Sequence, residues 1–559
     1  MKKTLDRPWR RPGAAAYARR RIAAALRPPI TVYPMPPDVT KEEDVAVRMP
    51  DGVRLRLNLF RPAGDGPFPV LLSAHPYGKD AHPKRKRGRW SVNPQYRVMN
   101  QSMPLRFSDQ TSWEAPDPVW WTRRGYAVIN LDTRGGGRSE GRGDLFSDQE
   151  ADDIAQVIAW AAAQPWSTGR VGMLGVSYLA MSQYKVAALN PPALKAICPW
   201  EGFTDMYRDF FTPGGVVENG FARAWLFITK RTARVKTDLA VERRKHPLRD
   251  AWWDALTPSL SKIKVPILVC TSFSDSNLHS VGSMRAFQRV GSAERHAYAH
   301  RGPKWSSFYG EDALRAQLAF FDRHLREQDV PPLPRLRLEI RDRRDNVVQV
   351  RDEQEWPLAR TDWRRLHLAE GGVLSEKAGS AGSVRFDLRR NAAVFDYHFE
   401  EDTELSGPMT LRLQVATTGA EDPRIFVGIE KRSDGAPVPF EGSYGYGRDL
   451  LAQGRLRLAL RELDSVLSTP HQPEHTFRTL QPVRDGEEVE VLIPLSSSAT
   501  LFRAGDSLRL MVAGRYPRPR NPFFGHFPTH YEPTASGKAT ISWAPDRPST
   551  LEIPVIPKR

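Results

Sequence analysis

The chain has 559 residues, two cysteines and a formal net charge of +17. That length suits several domains of about 100–200 residues each, and two cysteines exclude a disulfide scaffold or a cysteine-rich metal centre. No run approaches the ~18 apolar residues of a membrane helix, and no nucleic-acid-reading motif accompanies the basic excess.

Part of the charge lies in the leader, Met1–Pro29, and part in Lys84–Arg89; the rest is interleaved with acids, as on a solvated surface. Ile22–Leu26 is shorter than the ~7–15 apolar residues of a secretory signal and ends at Arg27-Pro28-Pro29. A basic extension over 1–40, a cytoplasmic location, no membrane span and no specific nucleic-acid partner are therefore expected.

From Asp44 the pattern turns β. Two alternating runs, Val45–Met49 and Val53–Phe60, flank Pro50-Asp51-Gly52 and predict a hairpin. Phe68–Ala74 and Tyr126–Leu131 are continuous apolar runs, as for strands buried on both faces. The glycine-rich loop Asp132–Gly141 has neither a dinucleotide nor a P-loop spacing, so a tight packing loop is expected there. Ser147 and Glu150 have the spacing of a capping box, opening a helix that carries Ile154, Val157, Ile158 and Ala161 on one face. A strand at Val171–Leu174, a helix from Tyr178 to Leu189 and a strand at Leu194–Cys198 continue a βαβ rhythm that predicts a parallel sheet.

Residues 201–258 break the rhythm and read as a helical insertion. The α/β pattern resumes at Val265–Cys270, followed by a helix from Leu278 to Val290, a strand near His296–Ala299 and a helix from Asp312 to Leu325. Beyond Pro331-Pro332 nearly every run is β, which suggests a sandwich or jelly roll. The expected division is 1–40 extension, 41–200 and 259–330 core, 201–258 cap and 331–559 β domain. Cys198 and Cys270 each end a strand-like run, as buried reduced thiols do.

The chemistry centres on Gly175-Val176-Ser177-Tyr178, a strand, a tight turn carrying Ser, and a helix. That is the geometry of a nucleophile elbow, which lifts the hydroxyl above the sheet. A hydroxyl needs an adjacent base oriented by a third group. In α/β hydrolases these follow in the order Ser, acid, His at successive strand ends. Asp275 lies just past the strand ending at Cys270, and His300 ends the next strand, so Ser177, Asp275 and His300 form the expected triad. His279 follows Asp275 too closely to lie on that next strand. His75 precedes the nucleophile and reads as a wall residue. The oxyanion would be met by the Tyr178 N–H and by the hydroxyl of Tyr77, in the loop after the strand Val70–Ala74. Trp200 and Phe210, with Phe203, Phe211 and Trp225, are candidates for an aromatic acyl pocket. Glu201, Asp205 and Asp209 recur every four residues and would share a solvated helix face, or hold a substrate amine.

Together Gly175-Val176-Ser177-Tyr178, His75-Pro76-Tyr77-Gly78-Lys79, the helical insertion and the β-rich final third resemble the cocaine esterase / X-Pro dipeptidyl-peptidase family, the CocE/NonD type. The resemblance spans about residues 40 to 559. It implies an α/β-hydrolase core with helical cap and C-terminal jelly roll, and the triad and oxyanion roles just given. The family's elbow reads Gly-x-Ser-Tyr-x-Gly; here Ala180 stands at the last position, small enough for close packing. The segment Ala81–Pro116 looks like an insertion at the pocket mouth. The expected activity is hydrolysis of small acyl esters through an acyl-enzyme on Ser177, without cofactor or metal, on a small ester or short peptide. X-Pro dipeptidyl-peptidase or amino-acid ester hydrolase activity is the alternative, and a binding module on an inactive hydrolase scaffold is the reading from another class. A homo-oligomer stays open.

Overall fold

Period-2 burial on two faces organises the first half of the chain. In the computed structural model, which describes residues 5–6, 15, 19, 22–23, 26–99, 104–440, 442, 449–518 and 529–558, one continuous sheet forms the core. Its strands run Val39–Arg48, Arg54–Pro62, Ala127–Asp132, Phe68–His75, Ser167–Val176, Leu194–Trp200, Ile267–Ser272, Arg295–His300, Leu336–Arg343 and Asn346–Glu353. The pairings from Ala127–Asp132 through Leu336–Arg343 are parallel, and those at both edges are antiparallel. Val70, Leu72, Val171 and Met173 point to one face, against Ile154, Val157 and Ile158 of the helix Asp148–Ala162. Leu71, Leu174, Val176, Cys198 and Trp200 point to the other, against Phe320 and Phe321 of the helix Glu311–Leu325. Both cysteines are buried and free.

The capping box is only half made. Ser147 caps the Glu150 N–H, but the Glu150 carboxylate accepts from the Phe146 N–H and the Tyr178 hydroxyl instead of closing on Ser147. The strand Leu336–Arg343, read from sequence as the start of the β domain, pairs in parallel with Arg295–His300 and so extends the core sheet.

The remaining strands form a sandwich. The long strand Thr403–Thr418 pairs with Glu488–Phe502, Lys538–Trp543 and Thr550–Ile556. Ser507–Ala513 pairs with Ala392–His398 and Arg424–Ser433, which also pairs with Ala452–Arg457. Leu411, Leu413, Val427, Ile429, Val491, Leu508 and Leu510 fill the space between. Residues 201–258 hold a π-helix, Met206–Phe211, and the helices Phe221–Thr232, Leu239–Lys245 and Ala251–Leu256. The basic segment Lys84–Lys86 pairs with Arg89–Ser91, and Leu105–Ser108 lies parallel to Ile30–Tyr33 of the N-terminal extension. Most of the leader before Leu26 lies outside the described residues. No helix among the described residues is long and apolar enough to cross a membrane.

Candidate active site

Ser177 sits between the strand Ser167–Val176 and the helix Tyr178–Ala188 with φ 59° and ψ −116°. That backbone is uncommon for a residue with a Cβ and persists only where the surroundings enforce it. Two close approaches do so. A Cβ on Gly175 would lie 2.4 Å from the Leu179 Cβ, and one on Gly202 would lie 2.6 Å from the Ala180 Cβ. The methyl group at 180 is thus accommodated by a glycine opposite it.

The Ser177 hydroxyl faces a histidine, and it is His279. Ser177 Oγ lies 3.2 Å from His279 Nε2, and His279 Nδ1 lies 2.5 Å from Asp275 Oδ2. His279 sits on no strand. The backbone N–H groups of Leu278, His279 and Ser280 all donate to the Asp275 carbonyl, winding 275–280 into a helical turn just before the helix Ser280–Arg289. Residues four apart on such a turn share a face. The spacing Asp-x-x-x-His, in a loop after a strand, was the signal that could have found this pair.

His300 does not reach the nucleophile. It is 2% exposed, its Nδ1 accepts from the Gly302 N–H at 3.1 Å, and its Nε2 lies 3.3 Å from Glu201 Oε1. The strand-end rule put it one place too far along the sheet, in the polar layer beneath the site. Trp200 is also displaced from its expected role. Its ring packs on Tyr298, His300 and Phe308 inside the core, because its parity on the strand turns it to the helix Glu311–Leu325 side; only its carbonyl serves the elbow, accepting from the Ser177 N–H.

Lys304, unnoticed in sequence, bridges the layer. Its Nζ lies 2.8 Å from Asp275 Oδ2, 3.1 Å from His279 Nδ1 and 3.3 Å from Glu201 Oε2. Burial alone would raise the Asp275 carboxyl, but the Lys304 ammonium and His279 outweigh it and hold Asp275 well below the carboxylate range. Burial and the same ammonium lower His279 from the ordinary imidazole value, against the pull of Asp275. Glu201 with Cys270 and His300, and Glu201 with Asp275 and His279, bring metal-ligand atoms together, yet the ammonium already supplies positive charge between Glu201 and Asp275.

Aromatic rings roof the hydroxyl. Phe203 stacks on His279 at 5.9 Å, Phe210 stacks on Phe203 at 5.4 Å, and Trp225 meets Phe210 edge-on at 5.3 Å. The Trp225 indole donates to the Tyr77 hydroxyl at 2.9 Å, and the Tyr77 ring lies edge-on to Tyr178 at 6.0 Å. His75 is fully buried behind them, and burial pushes its imidazole down to about 3. The acidic trio is neither one helix face nor solvated. Asp205 pairs with Arg208 and Arg249, Asp209 with Arg285, and Glu201 with Lys304 and His300.

The β-sandwich reaches this loop directly. Gln453 donates to Asn277 Oδ1 at 2.9 Å, and the Tyr531 hydroxyl lies 3.2 Å from the same oxygen, within the Asp275–His279 turn.

The family model described as X-Pro dipeptidyl-peptidase (S15 family) matches residues 51–303, and that of the X-Pro dipeptidyl-peptidase C-terminal non-catalytic domain matches residues 328–552. Cocaine esterase of Rhodococcus sp. (strain MB1 Bresler) is 25% identical, the match covering 92% of this chain and 98% of that protein. A crystal structure of a CocE/NonD family hydrolase from Staphylococcus aureus matches with a TM-score of 0.87 and 35% identity over 93% of this chain and 94% of the other. An α-amino acid ester hydrolase shares the fold, with a TM-score of 0.66 at 18% identity. An α/β core with its elbow, joined to a β-sandwich and matched almost end to end, makes this chain a member of the CocE/NonD family of hydrolases, related to cocaine esterase and the S15 X-Pro dipeptidyl-peptidases.

Proposed function

We propose that the protein is a serine hydrolase of small acyl esters, with Ser177 as nucleophile, His279 as general base and Asp275 as the group that orients it. The observation that carries this reading is the relay from Ser177 Oγ to His279 Nε2 at 3.2 Å and from His279 Nδ1 to Asp275 Oδ2 at 2.5 Å. With its Nδ1–H donated to Asp275, neutral His279 presents Nε2 as an acceptor. It takes the Ser177 proton as the oxygen attacks the ester carbonyl, then returns it to the leaving alkoxide. Water, activated by the same nitrogen, releases the acyl group. The Tyr77 hydroxyl and the Tyr178 N–H stand toward the developing negative charge. Accepting the Trp225 indole proton orients the Tyr77 oxygen, so its own proton is directed elsewhere.

The preference for esters rests on the acids near the site. A dipeptidyl-peptidase or amino-acid ester hydrolase must neutralise a substrate ammonium, and Glu201, Asp205 and Asp209 are each already paired with a cation. The aromatic roof of Phe203, Phe210 and Trp225 suits an uncharged acyl group. The test pairs fluorophosphonate labelling with turnover of p-nitrophenyl acetate and Gly-Pro-p-nitroanilide. Labelling lost in Ser177→Ala, with turnover of the ester, is expected. Exclusive cleavage of the anilide would reverse the substrate assignment, and an unlabelled wild type would favour a binding module on an inactive scaffold.

A further inference from the structure

The turn that carries His279 is anchored at both ends and once in the middle, and the middle anchor comes from another domain. Inside the turn, the N–H groups of Leu278, His279 and Ser280 close on the Asp275 carbonyl, so residues 275–280 move as a unit. Lys304 holds the Asp275 end at 2.8 Å, and the helix Ser280–Arg289 holds the other. Halfway along, Asn277 is held from the β-sandwich. Gln453 donates to its Oδ1 at 2.9 Å, and the Tyr531 hydroxyl lies 3.2 Å from that oxygen and 3.4 Å from the Asn277 carbonyl. Behind the turn lies a cavity of about 150 Å³, lined by Asn277, Leu278, Ser280, Met409 and Gln453 among others. Open space beside a loop withholds the dispersion contacts that would otherwise fix it, so hydrogen bonds set its position on that side. Both donors are themselves fixed. Gln453 and Arg455 are two apart on the strand Ala452–Arg457 and share a face, and the Arg455 guanidinium lies 3.9 Å over the Tyr531 ring. Gln453 and Tyr531 are each buried, so bulk water does not compete for Asn277.

We propose that Gln453 and Tyr531 are positioning residues for the hydrolysis: acting through Asn277, the β-sandwich sets the distance from His279 Nε2 to Ser177 Oγ. The inference rests on the reading of Ser177, His279 and Asp275 as the catalytic relay. The Asp275–His279 contact lies inside the turn and moves with it, whereas the Ser177–His279 contact spans the turn and the elbow. A turn released at Asn277 therefore keeps its acid–base pair and loses its alignment with the nucleophile. A misplacement of about 1 Å at reacting groups costs as much as ~10²-fold in rate. The charges that face His279, on Asp275 and Lys304, stay where they are, so the base titrates as before while the reaction slows.

The test measures p-nitrophenyl acetate turnover, pH–rate profiles and thermal melts for Gln453→Leu, Tyr531→Phe and the double variant. Each single change should lower kcat ~3–10-fold, and the double ~10–100-fold, with KM little changed and the acid limb of kcat/KM in place. Asn277→Ala removes the shared acceptor and should match the double variant; adding Gln453→Leu to it should cost nothing more. Gln288→Leu is the control. It cuts another hydrogen bond from the core to the sandwich, to Gln472 Oε1 at 2.9 Å near the far end of the helix, and should lower the melting temperature without lowering kcat. A double variant within ~3-fold of wild type overturns the proposal. So does an acid limb that moves with the loss, a full further loss from Gln453→Leu on the Asn277→Ala background, or a Gln288→Leu enzyme as slow as Gln453→Leu. If the double variant does not fold, Tyr531→Phe, which removes one oxygen, decides alone: an unchanged kcat overturns the proposal. Turnover that survives Ser177→Ala would instead overturn the underlying relay.

Discussion

Exchanging the fates of two histidines separates the strand-end rule from the observed geometry. His279→Asn removes the acceptor 3.2 Å from Ser177 Oγ and leaves the alcohol without a base. In triad enzymes such a loss costs ~10⁴–10⁶ in kcat, about 5–8 kcal/mol of transition-state stabilisation. His300→Gln removes the acceptor for the Gly302 N–H and the contact with Glu201, both in the buried layer below the site. Those contacts are worth ~1–3 kcal/mol of fold stability, because a buried donor is left to find a new partner. The glutamine amide can replace some of them, so kcat should stay within ~10-fold of wild type while the melting temperature falls. The assay is ester turnover with fluorophosphonate titration of active sites, normalised to folded protein by thermal melt. A His300→Gln enzyme as inactive as His279→Asn, with an unchanged melting temperature, would refute the reasoning and return the base role to His300.

Other consequences are equally direct. Lys304→Met should move the acid limb of kcat/KM to higher pH: the ammonium holds His279 below its ordinary value, so removing it raises that value and the base becomes protonated earlier as pH falls. A pH–rate profile checks this, and a limb that moves down contradicts it. Trp225→Phe deletes the donor to the Tyr77 hydroxyl and should lower kcat ~3–10-fold with little change in KM, as one lost hydrogen bond of about 1 kcal/mol implies; Tyr77→Phe should cost more, ~10²–10³. Gly202→Ala should destabilise the fold by ~1–3 kcal/mol in denaturant unfolding, since its Cβ would sit 2.6 Å from the Ala180 Cβ. Adding Ala180→Gly to the same chain should restore most of the loss.

Local rules carried much of this protein. Continuous apolar runs such as Phe68–Ala74 and the βαβ rhythm foretold the parallel sheet, because a strand buried on both faces has no use for polar alternation. The elbow at Ser177 was legible for a similar reason: a strand and a helix separated by so tight a turn leave the serine one place to stand. Asp275 could be placed at its strand end. The partner of that acid could not be decided locally, since both His279 and His300 satisfied some rule of spacing. The turn wound by three N–H groups on the Asp275 carbonyl, and braced by Gln453 and Tyr531 from the distant β-sandwich, selected His279. Lys304 was invisible for the same cause. It meets Asp275 and His279 through contacts of about 3 Å with residues far away in the chain, and loop paths set by packing, not by residue type, fix distances on that scale.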